Sequence, residues 1–263
     1  MNGRLVVCPT PIGNLEDVTL RVLSALRDAD VVACEDTRRT RTLLERYSVQ
    51  ATLVSYHEHN EAARSAELVT RMLDGAVVAL VSDAGMPLVS DPGYVLVQAC
   101  VAAGLEVEVL PGPSAVMAAL VASALPSDVW RFVGFLPRKA AARAAVLSAA
   151  ETVVAFESPR RVAATLEGLD PARPVAVCRE LTKLHEEVVR GPAGELAARY
   201  RADEPRGEVV LVIGAAPAVD ANAEAAVAAV RRLVESGAKP RVAAGVVSEL
   251  TGIAANTLYR AVL

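Results

Sequence analysis

Short apolar runs of strand length recur along this chain with helical segments between them, and that alternation constrains the fold more than any other feature. Leu5–Cys8, Val31–Cys34, Val77–Val81 and Val107–Leu110 are nearly continuous in aliphatic residues. Around them, Thr19–Arg27, Thr40–Tyr47, Glu61–Leu73, Tyr94–Ala103 and Ser114–Ala124 carry helical spacing. Strands that are apolar on both faces and joined by helices form a parallel sheet covered on both sides. Residues 1–116 are therefore expected to form one α/β domain.

After Leu125-Pro126-Ser127-Asp128 the pattern changes. Arg131–Phe135, Thr152–Phe156, Pro174–Cys178, Glu187–Arg190 and Glu208–Ile213 read as strands, and Ala140–Ala150, Arg160–Leu166 and Ala193–Tyr200 as helices. Glu187–Arg190 follows Pro174–Cys178 too closely for a crossover helix, so the two pair antiparallel and the sheet is mixed. This second α/β domain is expected over 127–215. A linker of Ala, Pro and Asp then leads to a helical tail, 223–263, with helices at Glu224–Glu235, Val242–Leu250 and Asn256–Val262. The Thr251-Gly252-Ile253 turn gives the last two the look of a helix-turn-helix.

Composition excludes several classes. The chain is 53% hydrophobic, with mean hydropathy +0.35, yet its apolar runs are far shorter than the ~20 residues of a membrane span. The start shows no charged segment followed by a long apolar one, so a cytoplasmic location is expected. Four cysteines stand singly, with no CxxC, which points to neither a disulfide framework nor a zinc site. Aromatic residues are 3% and the net charge is −4, which argues against single-strand binding by base stacking and against a globally basic footprint.

Three loops after strands are rich in turn residues: Pro9 to Asp17, Ser82 to Gly93, and Pro111 to Ala115. Ligands of open α/β sheets bind outside the carboxyl ends of strands. The middle loop is well beyond the roughly two to six residues such a connection needs. None contains a Walker A or GxGxxG pattern, so a nucleotide phosphate is not the obvious ligand. Further polar clusters follow strands at Glu35-Asp36-Thr37-Arg38-Arg39, Glu157-Ser158-Pro159-Arg160-Arg161, Arg179-Glu180-Leu181-Thr182-Lys183 and Gly207-Glu208.

These motifs occur in a fixed order. Pro11-Ile12-Gly13-Asn14-Leu15-Glu16-Asp17 comes first, then Glu35-Asp36-Thr37-Arg38 and Tyr56-His57-Glu58-His59-Asn60-Glu61. Ser82-Asp83-Ala84-Gly85, Ser90-Asp91-Pro92-Gly93 and Pro111-Gly112-Pro113-Ser114-Ala115 follow, then Gly134-Phe135-Leu136-Pro137 and the later clusters. The set closely resembles the bacterial 16S rRNA (cytidine-2′-O)-methyltransferases of the tetrapyrrole methylase superfamily, over about residues 4–214. The resemblance implies two α/β domains with a cleft between them, S-adenosyl-L-methionine as cofactor, 16S rRNA or the small ribosomal subunit as partner, and a homodimer. By position it assigns the donor to Pro11, to Ser82, Asp83, Ala84, Gly85, Met86 and Pro87, and to Ser114 and Ala115. Pro9, Met86 and Arg160 depart from the family pattern.

A ribose hydroxyl is a weak acid, and a nearby acceptor or cation helps it lose its proton. Glu157, Glu180 and Lys183 are the catalytic candidates; a structural Glu180–Lys183 ion pair is the competing reading. No metal is required. RNA phosphates are expected at Arg38 and Arg39, at Arg138 and Lys139, and at Arg161, three basic clusters that the net charge conceals. With so few rings, rRNA shape is expected to matter more than stacking. Two other functions compete: carbon methylation of a tetrapyrrole, and DNA binding through the tail. The tail's last two helices carry chiefly Arg241 and Arg260, so no DNA partner is expected.

Overall fold

The first sheet is wholly parallel in a computed structural model that describes residues 3–216 and 221–262. Along the chain, β1 (Arg4–Cys8), α1 (Leu20–Asp28), β2 (Val31–Cys34), α2 (Thr37–Arg46), β3 (Leu53–Ser55), α3 (Glu61–Leu73), β4 (Val77–Val81), α4 (Tyr94–Ala102) and β5 (Glu106–Val109) alternate. The strand order is β3-β2-β4-β1-β5. The three central strands are buried at almost every residue, which is why they stand out as unbroken apolar runs. One face packs on Leu23, Leu26 and Leu43 of α1 and α2, the other on Leu68, Met72 and Leu96 of α3 and α4.

The edges are different. β3 is three half-buried residues, and the sequence offers neither an apolar run nor alternation to mark it. β5 carries Glu106 and Glu108; short and charged edges resist pairing with another chain. α2 starts earlier than its periodicity indicates, because Asp36 caps it by accepting the Arg38 N–H at 2.9 Å.

The second sheet is mixed, as the short Cys178–Glu187 connection requires. Its elements are α5 (Ala115–Ser123), β6 (Trp130–Phe135), α6 (Ala140–Leu147), β7 (Thr152–Glu157), α7 (Val162–Leu166), β8 (Pro174–Arg179), β9 (Glu187–Pro192), α8 (Ala193–Ala202) and β10 (Val209–Ile213). The order is β6-β7-β10-β8-β9; β6 and β7 run parallel, and the remaining neighbours antiparallel.

α5 joins the halves. It follows the last strand of the first sheet but packs Val116, Ala119 and Leu120 against Val154, Ala176, Cys178 and Val210 of the second. Ile12, from the loop after β1, enters the same cluster. Both sheets therefore lie in one compact unit that runs to Gly214, and the expected domain limit at residue 116 falls inside α5.

A second compact unit begins at Ala215. Its α9 (Ala221–Glu235), α10 (Pro240–Thr251) and α11 (Ala255–Arg260) close on Ala226, Val230, Ala243, Val247 and Leu258. Gly252, at φ +74°, ends α10 and turns the chain toward α11. Among the described residues no helix is long and apolar enough to cross a membrane.

Candidate active site

The loops at the carboxyl ends of β1, β4 and β5 face those of β6, β7, β8 and the start of β10 across a cavity of about 310 Å³. From the first half, Ile12, Ala84, Gly85, Met86, Val89, Ser90, Asp91, Ser114, Ala115 and Val116 line it. From the second come Phe135, Phe156, Glu157, Ser158, Pro159, Cys178, Leu181, Gly207, Glu208, Val209 and Val210.

Backbone pairing sets the near wall. Thr10 and Gly85 exchange both N–H···O bonds at 2.9 Å, Thr10 Oγ1 donates to the Ser82 carbonyl at 3.0 Å, and Ser82 Oγ donates to the Gly85 carbonyl at 3.0 Å. Gly85 sits at φ +81°, a left-handed conformation that favours glycine. Of the expected donor residues, Ala84, Gly85, Met86, Ser114 and Ala115 therefore line the cavity. Ser82 stands buried behind it, and Pro11 and Pro87 are buried without lining it. Asp83 turns aside: its Oδ1 accepts the Asp36 N–H at 2.9 Å, and its Oδ2 lies 3.5 Å from Arg39 Nη1.

The three catalytic candidates separate. Glu157 lines the cavity, but its side chain is 0% exposed and fully engaged. One oxygen accepts the Ser158 N–H at 2.7 Å and pairs with Arg161 Nη2 at 2.5 Å; the other accepts from Thr165 Oγ1 at 2.7 Å. Glu180 and Lys183 lie outside the lining and reach it through Glu208. Lys183 Nζ bridges Glu180 Oε1 at 2.8 Å and Glu208 Oε2 at 2.9 Å, and Glu180 Oε1 also accepts the Glu208 N–H at 2.9 Å. Burial opposes both charges, but these bonds win: the Glu180 carboxyl is held below its ordinary range and the Lys183 ammonium above its own. Lys183 is thus held as a cation between two carboxylates.

Two glycines make this knot possible. Gly207, at φ +85°, leaves the space into which Glu180 folds; a Cβ there would overlap the carboxylate. Gly13 does the same for the Lys183 stem, while the Asn14 N–H donates to Thr182 Oγ1 at 3.1 Å and ties the first loop to the second half. Gly207→Ala is expected to cost about 1–3 kcal/mol in stability by chemical denaturation, from the strained φ together with the displaced ion pair. An unchanged denaturation midpoint would remove the glycine requirement.

The three candidates leave out one group with unusual chemistry. Asp91 lines the cavity. Burial pushes its carboxyl up to about 6, helped by the Glu35 and Asp83 charges. In the sequence it stands within the long loop after β4, in the Ser90-Asp91-Pro92-Gly93 motif, with no feature that sets it apart as an acid or base. Cys178 is a wall: burial raises its thiol to about 11, so it stays protonated.

The basic residues also separate. Arg138 and Lys139 are exposed just beyond β6. Arg38 is exposed but turned back on Asp36 at 2.6 Å, and Arg39 faces Asp83. Arg161 is a tie within the fold, donating to the Leu136 carbonyl at 3.1 Å besides its pairing with Glu157. Among the described residues no group of three or more His, Cys, Asp or Glu side chains is arranged to hold a metal ion.

A cavity framed by post-strand loops of two α/β halves agrees with the comparisons. The family model of the tetrapyrrole (corrin/porphyrin) methylases matches residues 4–197, and the chain belongs to that family. The ribosomal RNA small subunit methyltransferase I of Micromonospora olivasterospora is 45% identical, over 99% of this chain and 87% of that one. Its counterpart from Mycobacterium bovis is 46% identical, over 100% of this chain and 95% of that one. These relatives set the chain in the small-subunit rRNA methyltransferase I branch. A uroporphyrin-III C-methyltransferase from Thermus thermophilus, solved with S-adenyl homocysteine, shares the fold at TM-score 0.57 and 21% identity, over 81% of this chain and 97% of that one.

Proposed function

We propose that this chain transfers a methyl group from S-adenosyl-L-methionine to the 2′-hydroxyl of a cytidine ribose in the decoding region of 16S rRNA, acting in the cytoplasm as a homodimer. The contrast between two likenesses carries the reading. Identity of 45–46% with rRNA methyltransferases runs through the whole chain, whereas the tetrapyrrole enzyme shares 21% and a fold.

The cavity suits such a donor. Its volume is at the lower end of the range for small-ligand sites. Ile12, Val116, Leu181, Val209 and Val210 offer apolar walls to an adenine, and the first N–H groups of α5 beside Ser114 offer donors to a carboxylate. When bound, the cofactor supplies an electrophilic methyl on a sulfonium. The protein's part is to align the hydroxyl, exclude water and take a proton. Asp91 is the group that takes the proton, because it faces the cavity, is ionised at neutral pH, and is more basic than an ordinary carboxylate. Glu208, held by Lys183, marks the opposite rim.

The test is incubation with 16S rRNA or small subunits and labelled donor, followed by nuclease digestion and mass spectrometry. The expected product is 2′-O-methylcytidine, with no transfer to a uroporphyrinogen or precorrin control. Transfer to the control alone would replace this reading with the tetrapyrrole one.

A further inference from the structure

The chain has three phenylalanines, and their rings form one cluster, of which Phe135 and Phe156 line the cavity. Phe132 and Phe156 contact edge to face at 5.0 Å between centroids, and Phe135 lies 5.4 Å from Phe156 at an interplanar angle of 58°. Phe132 and Phe135 are three residues apart, a spacing that regular strand alternation would send to opposite faces. The backbone prevents this. The register of β6 on β7 slips between Phe132 and Phe135, and Gly134 takes φ +64°. The slip turns Phe135 back toward the ring of Phe156.

Phe135 lines the cavity and is 63% exposed, a conspicuous position for one of so few aromatic rings. The loop behind it is braced. Arg161 donates to the Leu136 carbonyl, and Arg143 reaches the Pro137 and Arg138 carbonyls at 3.4 and 3.3 Å. Arg138 and Lys139, three and four residues on, are exposed cations. An open ring beside a reaction cavity, followed by free positive charge on a fixed loop, matches a nucleotide with its base on the ring and its phosphates on the cations.

We propose that Phe135 is the platform on which the target nucleobase, or the base next to it, stacks during transfer, with Arg138 and Lys139 holding the adjoining phosphates. The proposal rests on the RNA reading above and makes Phe135 a positioning residue for the substrate. It also reverses the inference that scarce aromatics mean little stacking, because the rings are concentrated where one base needs them.

The test compares Phe135→Ala, Phe135→Leu and Phe135→Tyr with the wild-type chain, using 16S rRNA or small subunits as substrate. Loss of one stacking partner is expected to lower kcat/KM for RNA roughly 10- to 100-fold in the Ala and Leu variants. The Tyr variant should restore most of it, because stacking needs a ring and not merely apolar bulk. Thermal midpoint and mass by light scattering should match wild type, since the side chain is exposed, and any change in donor Kd by calorimetry should be far smaller than the loss in kcat/KM for RNA. Wild-type kcat/KM in the Ala variant, full recovery by Leu, a donor Kd weakened in proportion, or a change of mass that accounts for the loss would each overturn the proposal. Failure of the wild-type protein itself to methylate RNA would bring down the functional reading along with it; an active Ala variant overturns this inference alone.

Discussion

Asp91→Asn is expected to abolish most turnover while making the folded protein more stable. As proton acceptor, Asp91 is worth about 10²–10⁴ in rate, and asparagine keeps its shape without its basicity. The kcat of the wild-type enzyme should therefore fall as pH drops through about 6, where the Asp91 carboxylate protonates. The stability effect has the opposite sign. A carboxyl raised in the fold from 3.8 to about 6 disfavours its own ionised form there. The folded state carries that cost in full above about pH 6 and loses it as pH falls toward 4. Removing the charge should gain on the order of 1–2 kcal/mol at pH 8, discounted for partial solvent access, and nothing below pH 4. Thermal melts at both pH values and single-turnover kinetics read the two effects separately. A variant with wild-type kcat, or with a pH profile flat through 6, would remove Asp91 from the chemistry. Donor binding, read by calorimetry, should survive.

The architecture was legible where burial and sequence pattern coincide. β2 and β4 lie within fully or nearly fully buried layers, so their limits follow directly from the apolar runs. β3 was not legible, because an edge strand of three half-buried residues leaves no periodic trace. The site was legible as a set of loops but not as a set of side chains. Ser82 and Ser114 share a turn-rich context, yet one is buried behind the cavity wall and the other faces the cavity. That difference comes from the Thr10–Gly85 pairing, which couples residues far apart in the chain. Asp91 escaped because its basicity comes first from burial and then from the Glu35 and Asp83 charges on neighbouring strand ends, all of which exist only once the sheet has formed. Phe135 escaped for a related reason: a register slip decides which face it occupies, and alternation alone gives the other one.

Glu157 is where candidate chemistry and structural duty divide most sharply, and its substitution should cost folding before it costs catalysis. Both carboxylate oxygens are already bonded, to the Ser158 N–H, Arg161 and Thr165, and its side chain has no exposure. These bonds bind the turn after β7 to α7, and through Arg161 to the loop that follows Phe135. Glu157→Ala strands the half-buried guanidinium and leaves the Thr165 hydroxyl, in a residue with 0% exposure, without its acceptor. Breaking one side of such a pair costs about 3–5 kcal/mol. For a unit of this size that lowers Tm by roughly 6–20 °C. Thr165→Ala should lose a smaller part of the same network, so the double variant should fall short of the sum of the two losses. Glu157→Gln decides between the roles. As an anchor, it should lower Tm while the folded fraction retains turnover at low temperature. A proton acceptor would behave in the reverse way, and a Gln variant with wild-type Tm and no turnover would return Glu157 to the chemistry in place of Asp91.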